Sequence, residues 1–185
     1  MKSWSKKPVA LLGTLVMAGA FLITGSAGVA SAGQEFASHR EGDTRITRTI
    51  SNANPRPGDQ ITITTSWERN GWVEEYVYNY KNLVPDCLTY VPGSTTWRGN
   101  AFSDSNVQVV AADPEAPGMG YVRTEVGLTD WRIPSAFSGW GSARPVAMDF
   151  IVGADCSREV ALESTTHYGG SLGSGVYDPS VFNGG

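Results

Sequence analysis

From Gln60 to Trp67 the chain alternates residue by residue: Ile61, Ile63, Thr65 and Trp67 share one parity and threonines occupy the other. The same pattern returns at Val146, Met148, Phe150 and Val152, with Asp149 on the opposite side. A two-residue period belongs to a half-buried strand, because successive side chains point to opposite faces. No stretch carries a convincing 3.6-residue apolar period, and β-branched and aromatic residues recur along the chain. Turn chemistry separates the alternating runs: Asn54-Pro55-Arg56-Pro57-Gly58-Asp59, Asn70-Gly71 (a hairpin signal), Pro92-Gly93, and Asp113-Pro114-Glu115-Ala116-Pro117-Gly118. Strands are expected at 44–51, 60–67, 72–81, 87–91, 121–126, 146–152 and 159–168, with weaker ones at 95–98 and 107–110. On the third of these Tyr76, Tyr78 and Tyr80 share a face. Seven to nine short antiparallel strands with turns every ten residues or so describe an all-β sandwich.

The alternation begins only after a different kind of segment. Lys2, Lys6 and Lys7 precede an uncharged apolar run from about Val9 to Ile23, and Ala30-Ser31-Ala32 follows. A basic start, an apolar middle and an A-x-A site are the parts of a secretory signal peptide. The apolar run is short and glycine-interrupted for a span, which needs about 20 apolar residues. Residues 1–32 are therefore expected to be a signal peptide cleaved between Ala32 and Gly33. With no arginine pair and no cysteine at the cleavage point, the general secretion route is expected. The expected organisation is then a flexible lead-in over 33–43, one sandwich over 44–168 and a glycine-rich tail over 169–185.

Residues 1–32 hold three lysines and no acid, so the remaining 153 residues carry a net charge of −7 rather than −4. That is enough chain for one domain with its own core. An acidic chain without a basic run is poorly suited to nucleic acid or anionic lipid. Two cysteines remain, Cys87 and Cys156. Outside the cytoplasm such a pair is most simply a disulfide; two separate buried thiols are the alternative. Two cysteines and the distant His39 and His167 lack ligand spacing, so no metal or cofactor is expected.

The stretch from Ile46 to Ile63, with Asn54-Pro55-Arg56-Pro57-Gly58-Asp59-Gln60-Ile61-Thr62-Ile63, resembles the opening of the bacterial extracellular repeat domain catalogued as domain of unknown function 11. Asn82-Leu83-Val84-Pro85 and Leu88-Thr89-Tyr90-Val91-Pro92-Gly93-Ser94 are similar to runs that follow in that family. Asn82 stands where the family has aspartate, and the stretch 100–120 and the cysteines are additions to its pattern. The resemblance implies an immunoglobulin-like antiparallel β-sandwich on a bacterial surface, and it implies no catalytic residues.

Motifs for chemistry are sparse. Gly169-Gly170-Ser171-Leu172-Gly173 matches the serine-hydrolase elbow, but no histidine follows Ser171. Glu74 and Glu75 are adjacent and point to opposite faces of a strand, so they do not form a carboxylate pair. Asp104-Ser105-Asn106 offers oxygen ligands but fits an Asx turn better than a cation site. Five tryptophans lie beyond residue 32: Trp67, Trp72, Trp97, Trp131 and Trp140. Trp67 is expected in the core. Trp131 and Trp140, in irregular sequence, and the Tyr76, Tyr78 and Tyr80 face are the candidate ligand-facing aromatics, set against the alternative of core packing. The expected function is that of a non-catalytic secreted or wall-associated module for adhesion, with a cell-wall glycan or a surface protein as partner. A soluble sandwich binding carbohydrate or another small ligand is the second reading. A secreted hydrolase that draws His167 into a polar cluster is the third.

Overall fold

The computed structural model describes residues 35–127, 129–156, 162–177 and 181–182. The expected signal peptide and its cleavage point at Ala32 and Gly33 lie outside the described residues. The described chain is all β apart from one 3-10 turn at Asp104–Asn106. Its strands in chain order are β1 (Glu35–Glu41), β2 (Thr44–Ile50), β3 (Gln60–Arg69), β4 (Glu75–Pro85), β5 (Leu88–Tyr90), β6 (Thr96–Trp97), β7 (Asn100–Ala101), β8 (Val107–Val110), β9 (Met119–Glu125), β10 (Trp131–Ile133), β11 (Arg144–Val152), β12 (Leu162–Glu163), β13 (Thr165–Gly170), β14 (Gly173–Tyr177) and β15 (Val181–Phe182).

Two antiparallel sheets face each other. One runs β1-β2-β3-β11, with β5 and the β6-β7 pair along the far edge of β11; the other runs β14-β13-β4-β9-β8, with β10 also pairing β4. Substituting chain order, β2-β3-β11-β5 has the A-B-E-D order and β14-β13-β4 the G-F-C order of an immunoglobulin-like sandwich. The hairpin β8-β9 widens the second sheet, and β12 pairs β15 separately.

The alternation is what builds the core. Ile61, Ile63, Thr65 and Trp67 on β3 and Val146, Met148, Phe150 and Val152 on β11 are all buried. The register brings Ile63 opposite Met148 and Ile61 opposite Phe150. Trp67 meets Tyr80 edge-on at 5.4 Å and Tyr168 at 6.0 Å. Burying one such aromatic fully contributes about 3 kcal/mol. In the middle of this core lies a polar layer. Arg48, on the inward parity of β2, is 2 % exposed. It donates to Thr65, Thr166, Asn82 and Ser164.

Three expectations are corrected here. The lead-in is strand β1 from Glu35 onward, laddered along β2 from Glu35↔Ile50 to Glu41↔Thr44. It is an edge strand whose described side chains are mostly exposed, so it shows no burial pattern in sequence. The glycine-rich tail begins as a hairpin, in which β13 and β14 pair around Ser171 and Leu172. Asn70-Gly71 does not close a hairpin: β3 pairs with β2 and β11 whereas β4 pairs with β9, β10 and β13, so the chain crosses between sheets there.

Lys81 on β4 reaches Asp113 at 3.0 Å and fixes the loop before β9. The Glu115 backbone N–H, then Lys81, hold the Asp113 carboxyl below the usual carboxylate range. A group depressed in this way stabilises the fold above its unfolded value, about 4, and the contribution is withdrawn as pH falls below it. The variant Asp113→Asn is expected to flatten the acid side of the stability–pH curve, measured by urea unfolding across acidic pH. An unchanged slope would contradict this assignment.

Candidate functional site

Three connections converge at one end of the sandwich: the β1–β2 turn (Gly42 and Asp43), the β3–β4 crossover (70–74) and the β10–β11 loop (134–143). Backbone bonds lace them together, Asn70 N to Asp43 O at 2.8 Å and Gly141 N to Arg69 O at 2.8 Å. Gly141 permits the approach, since a Cβ there would lie 2.3 Å from the Pro134 carbonyl oxygen. Arg69 acts as a clamp, donating from Nε to Val73 O at 2.5 Å and from Nη1 to Thr44 Oγ1 at 2.7 Å. Its Nη1 lies 3.6 Å from the buried carboxylate of Glu75, which also accepts from Thr44 and Tyr168, each at 3.0 Å. The loops at this end therefore stand on a hydrogen-bonded base.

On that base sit side chains that the core does not take in. Trp72 is 83 % exposed and Phe137 is 81 % exposed, yet the two rings pack edge to face with centroids 5.0 Å apart. Val73 beside them is exposed as well. Trp140, half-buried on the same loop as Phe137, lies under Arg45 at 4.4 Å and Arg40 at 5.3 Å. Isolated exposed apolar residues are ordinary on protein surfaces; here two exposed rings from different loops touch, which makes this pair the candidate surface.

Several arginines belong to the elements at this end. Arg45 pairs with Glu68 at 2.7 Å and Arg132 with Glu74 at 2.5 Å. Bonds from Tyr76, then Arg132, hold the Glu74 carboxyl below its ordinary range. Among the described residues Arg144 donates to backbone carbonyls, including Arg132 O at 3.2 Å and Ala143 O at 3.1 Å. Arg98, exposed at a backbone φ of +53°, is tied to the same strand through its N–H to Pro145 O at 2.8 Å. Burial, then the positive charges of Arg98 and Arg132, push the Arg144 guanidinium below its usual value.

The structure distributes the expected aromatics unevenly. Trp140 lies at the site. Trp131 does not: it is 1 % exposed, stacked on Trp97 at 4.5 Å and pinned by the pairing of β10 with β4. Tyr80 is likewise 1 % exposed, and the shared face of Tyr76, Tyr78 and Tyr80 is broken. Along β13 the partner of Gly169 is Asn79 and that of Gly170 is Val77, so Tyr78 is an extra residue in β4. Such a bulge inverts the parity beyond it, turning Tyr80 inward while Tyr76 and Tyr78 stay half-buried on the outer side. Trp72 is expected to open the strand over 72–81, but β4 begins only at Glu75 and leaves it in the crossover; Phe137 lies in irregular sequence, where its one signal is an aromatic beside turn residues.

The remaining candidates resolve simply. Ser171 sits in the β13–β14 turn and accepts from Tyr76 N at 3.0 Å, which is not a strand-to-helix elbow. Asp104-Ser105-Asn106 form the 3-10 turn, where Asp104 accepts from the Tyr90 hydroxyl at 3.3 Å. Glu74 and Glu75 diverge as expected, one outward and one buried. His167, half-buried on β13, lies opposite Lys81. Among the described residues no group of three or more His, Cys, Asp and Glu is placed to hold a metal, and no helix is long and apolar enough to cross a membrane. Cys87 and Cys156 are joined by a disulfide at the opposite end of the sandwich, after β4 and after β11. Away from the Trp72–Phe137 pair, a cleft of about 100 Å³ opens beside Val84, Leu88, Tyr90, Val109 and Tyr121, well below the roughly 300 Å³ of a typical small-ligand site.

No family model matches the chain, so the resemblance to domain of unknown function 11 gains no support from one, and no curated protein matches it. Solved structures do. A putative membrane anchored protein from Corynebacterium diphtheriae matches over 80% of this chain with 11% identity and a TM-score of 0.48. The pilus backbone RrgB from Streptococcus pneumoniae matches over 75% with 10% identity and a TM-score of 0.38. BcpA, the major pilin subunit of Bacillus cereus, matches over 80% with 10% identity and a TM-score of 0.40. This chain spans 34%, 53% and 39% of those three chains respectively.

Proposed function

We propose that this chain is an exported, non-catalytic surface module that associates with cell-wall glycan through its aromatic end. The observation that carries the reading is the Trp72–Phe137 pair, two large rings held in solvent by loops that are themselves clamped. Exposed indole and phenyl faces stack on the C–H faces of sugar rings, and rigid aromatics give contact area at small entropic cost. Export is supported by the signal-like sequence of residues 1–32 and by the disulfide, a bond of oxidising compartments. The non-catalytic reading is supported by the polar groups around the rings. Arg45, Arg69 and Arg132 are engaged with Glu68, Glu75 and Glu74 and Arg144 with backbone carbonyls, whereas Ser171 accepts from the Tyr76 amide.

The test is retention of the chain from residue 33 onward on isolated cell walls, followed by sedimentation. The double variant Trp72→Ala with Phe137→Ala is expected to lower wall affinity at least about tenfold, the scale of a truncated aromatic hot spot. Because both side chains are exposed, its thermal unfolding should stay close to that of the parent. Failure of the parent to bind walls, or undiminished binding by the double variant, contradicts the reading. Binding to a co-purifying surface protein instead would replace glycan with protein as the partner.

A further inference from the structure

The aromatic end also carries a cluster of positive charge. Arg98, Arg132 and Arg144 come together where β6, β10 and the start of β11 meet. Arg98 is bonded through its backbone to Pro145, and Arg144 through its guanidinium to the carbonyl of Arg132. Among the described residues one carboxylate, Glu74, pairs with this trio, and it pairs with Arg132. Two guanidinium charges are thus left over locally, on a chain whose net charge is −4 with residues 1–32 and −7 without them. Burial first, and then the neighbouring charges of Arg98 and Arg132, push the Arg144 guanidinium below its usual value. An arrangement of this kind stores unfavourable energy that an anion relieves, and the planar fork of arginine matches phosphate and carboxylate oxygens two at a time.

The trio adjoins the rings. Arg132 and Arg144 bracket the loop that bears Phe137 and Trp140, and Glu74, the partner of Arg132, is two residues from Trp72. We propose that Arg98, Arg132 and Arg144 form an anion subsite beside the Trp72–Phe137 pair, so that the glycan taken by this end is an anionic polymer bearing phosphodiester or carboxylate groups. Stacking on the rings supplies sequence-tolerant contact with sugar, and the subsite selects charged polymer over neutral polymer. This inference rests on the aromatic end being the binding surface, as proposed above.

The experiment measures binding of the chain from residue 33 onward to three immobilised polymers: poly(glycerol phosphate), polygalacturonate and neutral dextran. Preference for an anionic polymer is expected, and which of the two binds tighter identifies phosphate or carboxylate as the source. Raising salt from about 0.05 M to about 0.5 M shortens the screening length severalfold and should weaken that binding roughly tenfold. The double variant Arg98→Asn with Arg132→Gln should lose roughly tenfold in affinity for the anionic polymer, as expected for two charge-assisted contacts. Asparagine is chosen at 98 because it tolerates the positive φ. Arg56→Gln, which removes one exposed charge at the opposite end of β3, should stay within about twofold of the parent, as a distant screened charge does. Equal binding of dextran and the anionic polymers, or a double variant matching Arg56→Gln, overturns the subsite and leaves the aromatic reading standing. Binding to none of the three also overturns it, and wall retention then decides separately whether the aromatic reading falls too.

Discussion

The Arg48→Ala variant is expected to unfold with about 4 kcal/mol less free energy than the parent, because it opens a cavity and strips several buried acceptors of their donor at once. Arg48 Nη2 donates to Asn82 Oδ1 and to Ser164 Oγ, both at 2.6 Å, and Nη1 donates to Thr65 at 3.2 Å and to Thr166. No carboxylate pairs with it among the described residues, and its Nε has no hydrogen-bond partner there. Burial pulls its pKa down, opposed by Tyr80, yet arginine keeps its proton at any ordinary pH. Among the described residues this core charge is met by neutral dipoles. Desolvating such a charge costs several kcal/mol, so the layer is held by mutual dependence rather than by a large net gain.

A double-mutant cycle separates these terms. Arg48→Met fills the volume but orphans the Asn82 oxygen, and is expected to cost about 2 kcal/mol. Asn82→Leu leaves the guanidinium charged and short of an acceptor, at about 3 kcal/mol. The two together remove charge and acceptor alike. Thr65, Thr166 and the Tyr80 hydroxyl can still bond among themselves, as the 2.9 Å Thr65–Tyr80 contact shows. The double variant should therefore cost no more than about 2 kcal/mol, with a coupling of several kcal/mol between the sites. Denaturant unfolding of the four proteins measures this; simple additivity would mean that Arg48 and Asn82 do not compensate each other.

Arg48 also shows what the sequence could and could not convey. It shares parity with Ile46 and Ile50, so its inward direction was legible in the β2 pattern. Its partners on β4 and β13 were not, because they come from the facing sheet. Alternation predicts the buried face where burial is one-sided and unbroken, as on β3 and β11. It misled on β4, where the extra residue Tyr78 inverts parity and buries Tyr80. It was silent on β1, which is held by ladder bonds with little burial. The aromatic end was legible only through Trp140. Trp72 and Phe137 lie 65 residues apart in sequence, and their pairing depends on which loops the two sheets bring to one end. The same holds for Arg98 beside Arg144, which required the antiparallel pairing of Trp97 with Val146.

Removing the disulfide, by Cys87→Ser with Cys156→Ser, is expected to lower stability by about 4 kcal/mol, the chain-entropy value for a loop of this length. The bridge spans 69 residues and encloses β5 through β11, including the β8–β9 hairpin and the loop that bears Phe137. Without it the unfolded chain regains the freedom of that whole segment. For a domain of this size the corresponding fall in Tm is about 10 °C. The folded state itself should change little at the bridge, because neighbouring backbone bonds persist: Gly153 N donates to Cys87 O at 2.9 Å, and Val152 stays in register with Leu88. The Trp72–Phe137 pair lies at the other end, on loops clamped by Arg69 rather than by the bridge. Stability and binding should therefore part company. Well below its melting temperature, the cysteine-free protein should bind walls within about twofold of the parent, since sites without shared partners act independently, while thermal unfolding records the full loss. A stability change under about 1 kcal/mol would show that the unfolded chain is already restricted without the bond. Loss of binding by a protein that remains folded would show instead that the bridge shapes the aromatic end across the length of the sheet.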